Sequence, residues 1–404
     1  MKSIRNYWIY CFAVVFILKP THVLAGAAIG EDRFIVPAEV RNKLIPVALI
    51  GFSGEANAVL NFDLEVMGCK IVPEADAAFV VEGKFENAVV GKLSNKGGNI
   101  EFHRKYPGGT VRDQAHALSN DVIKALTGES GIAHTQMLFK MKTGTRSEEI
   151  YLADYDGHLP KALTSDKTLV GSPKWSPTGA EIFYTSWLKR GGLENTTVVR
   201  QNLKTGVRDV MARYRGLNTG GALSPQGFLA MILSKGGSPD VYVAPPTWEF
   251  MKDLKGENLH RMCKTREEES GVSWSPNGQW LCFATRARGK RMLVKMAAQG
   301  GKMIRIPTNG VLNPSEPSWS PDGKWIAFTS QMGGFNVCIV AAQGGEAKVI
   351  ASGEGPTWAP NSRNLIFTRR GVNKRALAIV DVPTKQVRML PAFAGSASQP
   401  AWGK

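Results

Sequence analysis

Glu316-Pro-Ser-Trp-Ser-Pro-Asp-Gly-Lys-Trp-Ile-Ala-Phe-Thr-Ser330 reads as a short strand, a tight turn and the start of a second strand. Pro321 presets φ, Asp322 bonds to nearby backbone, and Gly323 accepts a positive φ. Trp325, Ala327 and Thr329 alternate with Ile326, Phe328 and Ser330, which sends two sets of side chains to opposite faces. The same phrase recurs at Ser172–Gly179, Gly221–Gly227, Gly271–Gly278 and Gly355–Asn361, and as the fragment Gln399–Trp402. The anchors are Trp175, Leu223, Trp274, Trp319, Trp358 and Trp402, spaced 48, 51, 45, 39 and 44 residues apart. That period predicts one four-stranded sheet per repeat, the blade of a β-propeller.

The 404 residues carry a formal charge of +16, with 43 glycines and 22 prolines. Such a chain has room for two domains and a turn-rich β body. Residues 1–25 read as an export signal. Lys2 and Arg5 precede an apolar run of 11 residues, Trp8 to Leu18, and Val23-Leu-Ala25 offers a cleavage site. The run is shorter than the roughly 20 residues a membrane-spanning helix needs. Cleavage removes Lys2, Arg5 and Lys19, leaving +13. Cys69, Cys263, Cys282 and Cys338 fit no CxxC or zinc spacing and read as buried, free thiols.

Residues 26–43 show no period and read as a mobile arm or a loosely docked strand. Residues 44–130 read as an α/β unit. Its strands are expected at 44–52, 77–85, 89–93 and 99–104, with helices at 56–67 and 110–127. Thr110 and Asp113 should cap the second helix and Gly128 should close it. Residues 131–404 read as the propeller. Three strands, at 135–141, 149–154 and 161–164, lack an inner partner, and the tail at Gln399–Trp402 is an inner strand lacking the other three. Together they make one blade, so the ring has six and closes on itself.

The loop before each inner strand should open onto the channel mouth, where a rigid scaffold presents variable residues. These loops are 169–172, 217–220, 267–271, 313–316, 352–354 and 396–399. The turn motif itself is structural, because tryptophan buries a large surface and the turn sets the hairpin. Asp154-Tyr-Asp-Gly157 lacks most ligands of a calcium loop and reads as a β-turn. His103, His116, His134, His158 and His260 lack metal-ligand spacing, and His116 is expected beside the apolar face of its helix. No cofactor motif is present. The basic strings Arg286–Arg291 and Arg369–Arg375 have no aromatics for base stacking, so they point to solubility, or to attraction to anionic envelope polymers and an acidic partner, and not to nucleic acid.

Arg112-Asp-Gln-Ala-His-Ala-Leu-Ser-Asn-Asp121, the junction Leu126-Thr-Gly-Glu-Ser-Gly-Ile132, Tyr151–Gly157 and the propeller repeats together resemble the TolB family of the Tol-Pal system. The resemblance implies a periplasmic, non-enzymatic adaptor. It implies that the mouth receives Pal, a lipoprotein of the outer membrane, and that the N-terminal arm engages TolA, in support of envelope integrity and constriction at division. It selects Asn218, Thr219, Ser270, Ser315 and Glu316 as Pal contacts, joined by Glu269, Asn313 and Glu354 of the same loops. One rival is a propeller peptidase, but no G-x-S-x-G elbow occurs, since Gly51-Phe-Ser-Gly-Glu55 ends in Glu. The other is a propeller that holds peptidoglycan sugars directly.

Overall fold

The computed structural model describes residues 42–190, 193–247 and 257–403. The expected signal, and the expected arm up to residue 41, lie outside the described residues.

The N-terminal α/β layer runs β1 (Ile45–Ile50), α1 (Gly54–Val66), β2 (Cys69–Ile71), β3 (Phe79–Phe85), β4 (Val89–Asn95), β5 (Ile100–Tyr106) and α2 (Val111–Thr127). The sheet order is β2-β1-β3-β4-β5, with β1 parallel to both of its neighbours. The strand β2 has only three residues, too short for any alternation to announce it. In α2 the Thr110 hydroxyl accepts from the Asp113 amide at 3.1 Å, and Asp113 Oδ2 accepts from the Thr110 amide at 2.8 Å. Gly128 ends the helix in the left-handed region. Leu118 and Val122 are fully buried against the sheet. A Cβ on Gly91 would stand 2.5 Å from Leu118, so this strand position admits only glycine under the helix.

The rest is a six-bladed β-propeller of four-stranded sheets. The innermost strands of blades 1 to 6 are Ala397–Trp402, Val170–Trp175, Asn218–Leu223, Ser270–Trp274, Pro314–Trp319 and Glu354–Trp358. Every one ends on its anchor residue. The blade 1 strand is the chain's tail. It pairs antiparallel with Gln136–Gly144, placing Trp402 opposite Met137.

Local chemistry explains the repeated turn. Gly179, Gly227, Gly278 and Gly323 have φ between 68° and 87°. Their amides return to the carbonyls of Ser176, Ser224, Ser275 and Ser320 at 2.8–3.0 Å. The same serines accept, through Oγ, the amide of the second strand's first residues, as in Trp325 N to Ser320 Oγ at 2.9 Å. The tryptophans do more than fill space. Trp175 Nε1 donates to Ala401 O, Trp274 Nε1 to Ala222 O and Trp358 Nε1 to Ser318 O, each across to the preceding blade at 2.9–3.1 Å. Leu223 has no such donor, and Trp319 donates to its own turn at Gly323 O.

The expected alternation in the second strand does not become a dry and a wet face. Ile326 to Ser330 are all buried, and so are all five residues of Leu229–Leu233. Blades stack on both sides of each sheet, so both faces are interior.

The α/β layer docks through buried polar contacts. Asn364 Nδ2 donates to Val66 O at 2.8 Å, and Gln386 Nε2 donates to Cys69 O at 3.1 Å. Gly68 makes room for the buried Arg363–Asp381 pair, since a Cβ there would lie 2.8 Å from each partner. At blade 1, Asp63 accepts from the hydroxyls of Tyr155 and Ser119 and lies 2.8 Å from His116 Nδ1. His116 therefore belongs to a polar knot and not to an apolar helix face. Asp63, His116 and Asp156 bring ligand atoms within 4.8 Å of one another. Arg112 pairs with Asp156, and the hydroxyls of Tyr155 and Ser119 donate to Asp63. Cys69, Cys263, Cys282 and Cys338 are buried and free.

Candidate functional site

The residue three before each anchor is Ser172, Gly220, Gly271, Glu316, Gly355 and Gln399. All six have positive φ, between 51° and 89°. Each sits at a break in register between the first and second strands of its blade. A bulge leaves its backbone without a regular ladder partner and turns it toward the channel. Four are followed by proline, which lacks the amide a ladder would use.

These bulges wall a cavity of about 270 Å³ at the mouth end of the channel. It shares Lys174, Ala222, Val272 and Thr357 with a wider cavity of about 650 Å³, walled by the anchors and turn prolines at the opposite end. Side chains brace the narrow ring. Gln399 Oε1 accepts from Ser172 N at 2.9 Å. Glu316 Oε2 accepts from Gly355 N at 3.1 Å and from the Thr329 hydroxyl at 2.7 Å. Lys174 and Glu316 are the only charged residues lining the two cavities among the described residues. Desolvation holds the Lys174 ammonium below the ordinary lysine range, while the Glu316 carboxylate draws it back up.

Thr219, Ser270 and Glu316 come together on the mouth wall. Thr219 shares a 2.9 Å hydroxyl contact with Thr185, and Glu316 is exposed. Asn313 is exposed beside the mouth, with Nδ2 3.3 Å from Gln331 O, and Ser315 is half-buried behind it. Two of the expected contacts need correction. Asn218 is fully buried, and its amide group bonds to Tyr214 N, Tyr214 O and Gly216 O, so it shapes its own loop. Glu269 is buried under Ser270, with Oε1 accepting from Thr285 at 2.8 Å and Thr265 at 3.0 Å. Burial raises its carboxyl to about 7 against those two bonds, and neighbouring Asp240 adds to the rise. Glu354 stands at the rim and pairs with Arg370 at 2.5 Å and Arg375 at 3.4 Å.

Sequence reasoning missed Lys174, although it sits inside the repeat between Pro173 and Trp175. The signal was available: the residue before an anchor is Ser, Thr or Ala elsewhere, and only here is it charged. Nothing in the repeat announced the positive φ at Ser172, Glu316 and Gln399, because those residue types seldom adopt it.

Residues 123–404 match the family described as the TolB beta propeller domain. A protein of Nitrosococcus oceani called "Tol-Pal system protein TolB" is 33% identical over 122 residues, which cover 29% of this chain and 27% of that one. One of the same name from Legionella pneumophila is 27% identical over 210 residues, covering 44% of this chain and 49% of the relative. The matched stretches thus span about a quarter to a half of these relatives' lengths. The crystal structure of TolB from Acinetobacter baumannii superposes with a TM-score of 0.76 at 20% identity, over 89% of this chain and 97% of that chain. At that identity the likeness is one of fold.

Proposed function

The chain belongs to the TolB β-propeller domain family, and from that premise we propose that it is a non-enzymatic adaptor of a Tol-Pal system in the periplasm. The propeller mouth binds the lipoprotein Pal. The arm at residues 26–43 links to TolA, and the pair of contacts serves outer-membrane integrity and constriction during division. Residues 1–25 direct export and are cleaved near Ala25.

One observation carries the reading. The mouth is a rigid ring of bulged backbone around an opening of about 270 Å³, edged by Thr219, Ser270 and Glu316. Such a ring presents backbone and short polar groups without large side chains to reorder, which suits an inserted loop of a protein. The lining favours binding over hydrolysis. Among the described residues no histidine touches either channel cavity, so its serines and threonines have no imidazole to activate them. The relatives' shared name, Tol-Pal system protein TolB, supports the choice of system.

Titration calorimetry with the soluble part of Pal from the same cell tests the proposal. Thr219→Trp and Ser270→Trp should each weaken binding about tenfold or more, roughly 1.4 kcal/mol, with the melting midpoint unchanged. Absence of heat with the unaltered protein, or unaltered affinity in both variants, would contradict it.

A further inference from the structure

Blades 4, 5 and 6 are consecutive, and the hairpins joining their second and third strands project from the mouth face. The blade 4 hairpin exposes Arg286, Arg288, Lys290 and Arg291. The blade 6 hairpin exposes Arg369, Arg370, Lys374 and Arg375. Glu354 engages two of these eight cations, Arg370 and Arg375. Three apolar side chains stand out among them. Val372, at the tip of the blade 6 hairpin, is 102% exposed, Leu312 of blade 5 is 64% exposed and Met332 is 42% exposed. The blade 5 and blade 6 parts of the patch adjoin. Arg370 lies 3.8 Å over the Phe335 ring, so the blade 6 hairpin leans on that of blade 5. Ser330 Oγ donates to Leu312 O at 2.7 Å, holding Leu312 beside Met332. On the opposite face the turns at Pro177-Thr-Gly179, Pro225-Gln-Gly227 and Pro276-Asn-Gly278 carry no charge, and the blade 5 turn pairs Asp322 with Lys324.

We propose that this rim docks on a lipid bilayer that carries anionic phospholipid headgroups. Arg286 to Arg291 and Arg369 to Arg375 would face the phosphates, and Val372, Leu312 and Met332 would enter the interface. Four to eight clustered Lys and Arg are enough to hold a protein at an anionic leaflet. Charge alone fits an acidic protein equally well, and the apolar tips decide between them. A fully exposed valine at the end of a basic hairpin suits a bilayer interface, which takes up protruding apolar groups beside basic ones. The inference goes beyond the adaptor reading and does not depend on which protein occupies the mouth.

Co-sedimentation of the protein, as processed by the cell, with vesicles tests it. Phosphatidylglycerol–phosphatidylethanolamine vesicles should bind at least about tenfold more protein than phosphatidylcholine vesicles, and added salt should reverse the binding. Val372→Asp with Leu312→Asp, and separately Arg286→Ser with Lys290→Ser, should each lower binding about tenfold at an unchanged melting midpoint. Phe228→Asp, an exposed apolar site on the opposite face, should leave it unaltered. Absence of binding, or equal binding to phosphatidylcholine, would overturn the proposal. So would binding that needs the arginines but ignores Val372 and Leu312, which would mark the rim as a polyanion or acidic-protein site.

Discussion

One face of the ring carries five copies of nearly the same turn, and the other carries six loops with no shared sequence. On the turn face the same amide returns to the same carbonyl in every copy, from Gly179 to Ser176 through Ser362 to Ala359. On the mouth face each loop is stabilised its own way: Asn218 through its own carbonyls, Glu316 through Gly355, Gln399 through Ser172. The lesson is that repetition marks what every blade must do to exist. Departure from it marks where the ring is free to present something. The α/β layer complicates the contrast, because it docks on the repeated face through residues that do not repeat, such as Asp63 and Asn364.

The contrast breaks most severely if the ring needs no tail. Deleting residues 396–404 removes the inner strand of blade 1 and the Ala401 acceptor of Trp175. The melting midpoint should fall by about 10 °C or more, with loss of a single cooperative transition. Next is Asp63→Ala, which strands the Tyr155 hydroxyl and His116 Nδ1 in the interior. Denaturant unfolding should show a loss of about 3–5 kcal/mol, with Asp63→Asn intermediate.

Glu269 sharpens the mouth side. Its folded carboxyl binds a proton more tightly than the unfolded value of 4.5, so its contribution is complete below about pH 4.5 and is lost as pH rises through about 7. Stability of the unaltered protein should therefore decline from about pH 5 to about pH 8, on the order of 2 kcal/mol. Glu269→Gln should flatten that slope, which denaturation curves across the range would reveal. The smallest effect belongs to a single indole bond. Trp274→Phe keeps the ring but leaves Ala222 O unpaired, and should cost about 1 kcal/mol in the same assay.

The parts of the fold legible in the sequence were those that repeat or cap. Six anchors at a steady interval gave the blades, and Thr110, Asp113 and Gly128 gave both ends of α2. Burial on both faces of the second strands was not legible as such, since alternation encodes a half-buried strand and a stack of blades removes the distinction. Docking of the α/β layer was invisible, because Asp63 and Tyr155 lie far apart in the chain and nothing local pairs them. At the mouth, loop position located Thr219, Ser270 and Glu316 on one wall. It misplaced Asn218 and Glu269, because polar character does not say whether a side chain faces the opening or supports the loop beneath it.

The central claim is that a protein partner enters at the bulged ring and not at the turn face. A photo-crosslinking residue at position 316, on the mouth wall, or at position 324, exposed on a turn of the same blade, compares the two ends directly in living cells. The account predicts a Pal adduct from position 316 and none from position 324. An adduct from position 324 alone would place the partner on the opposite face and contradict it.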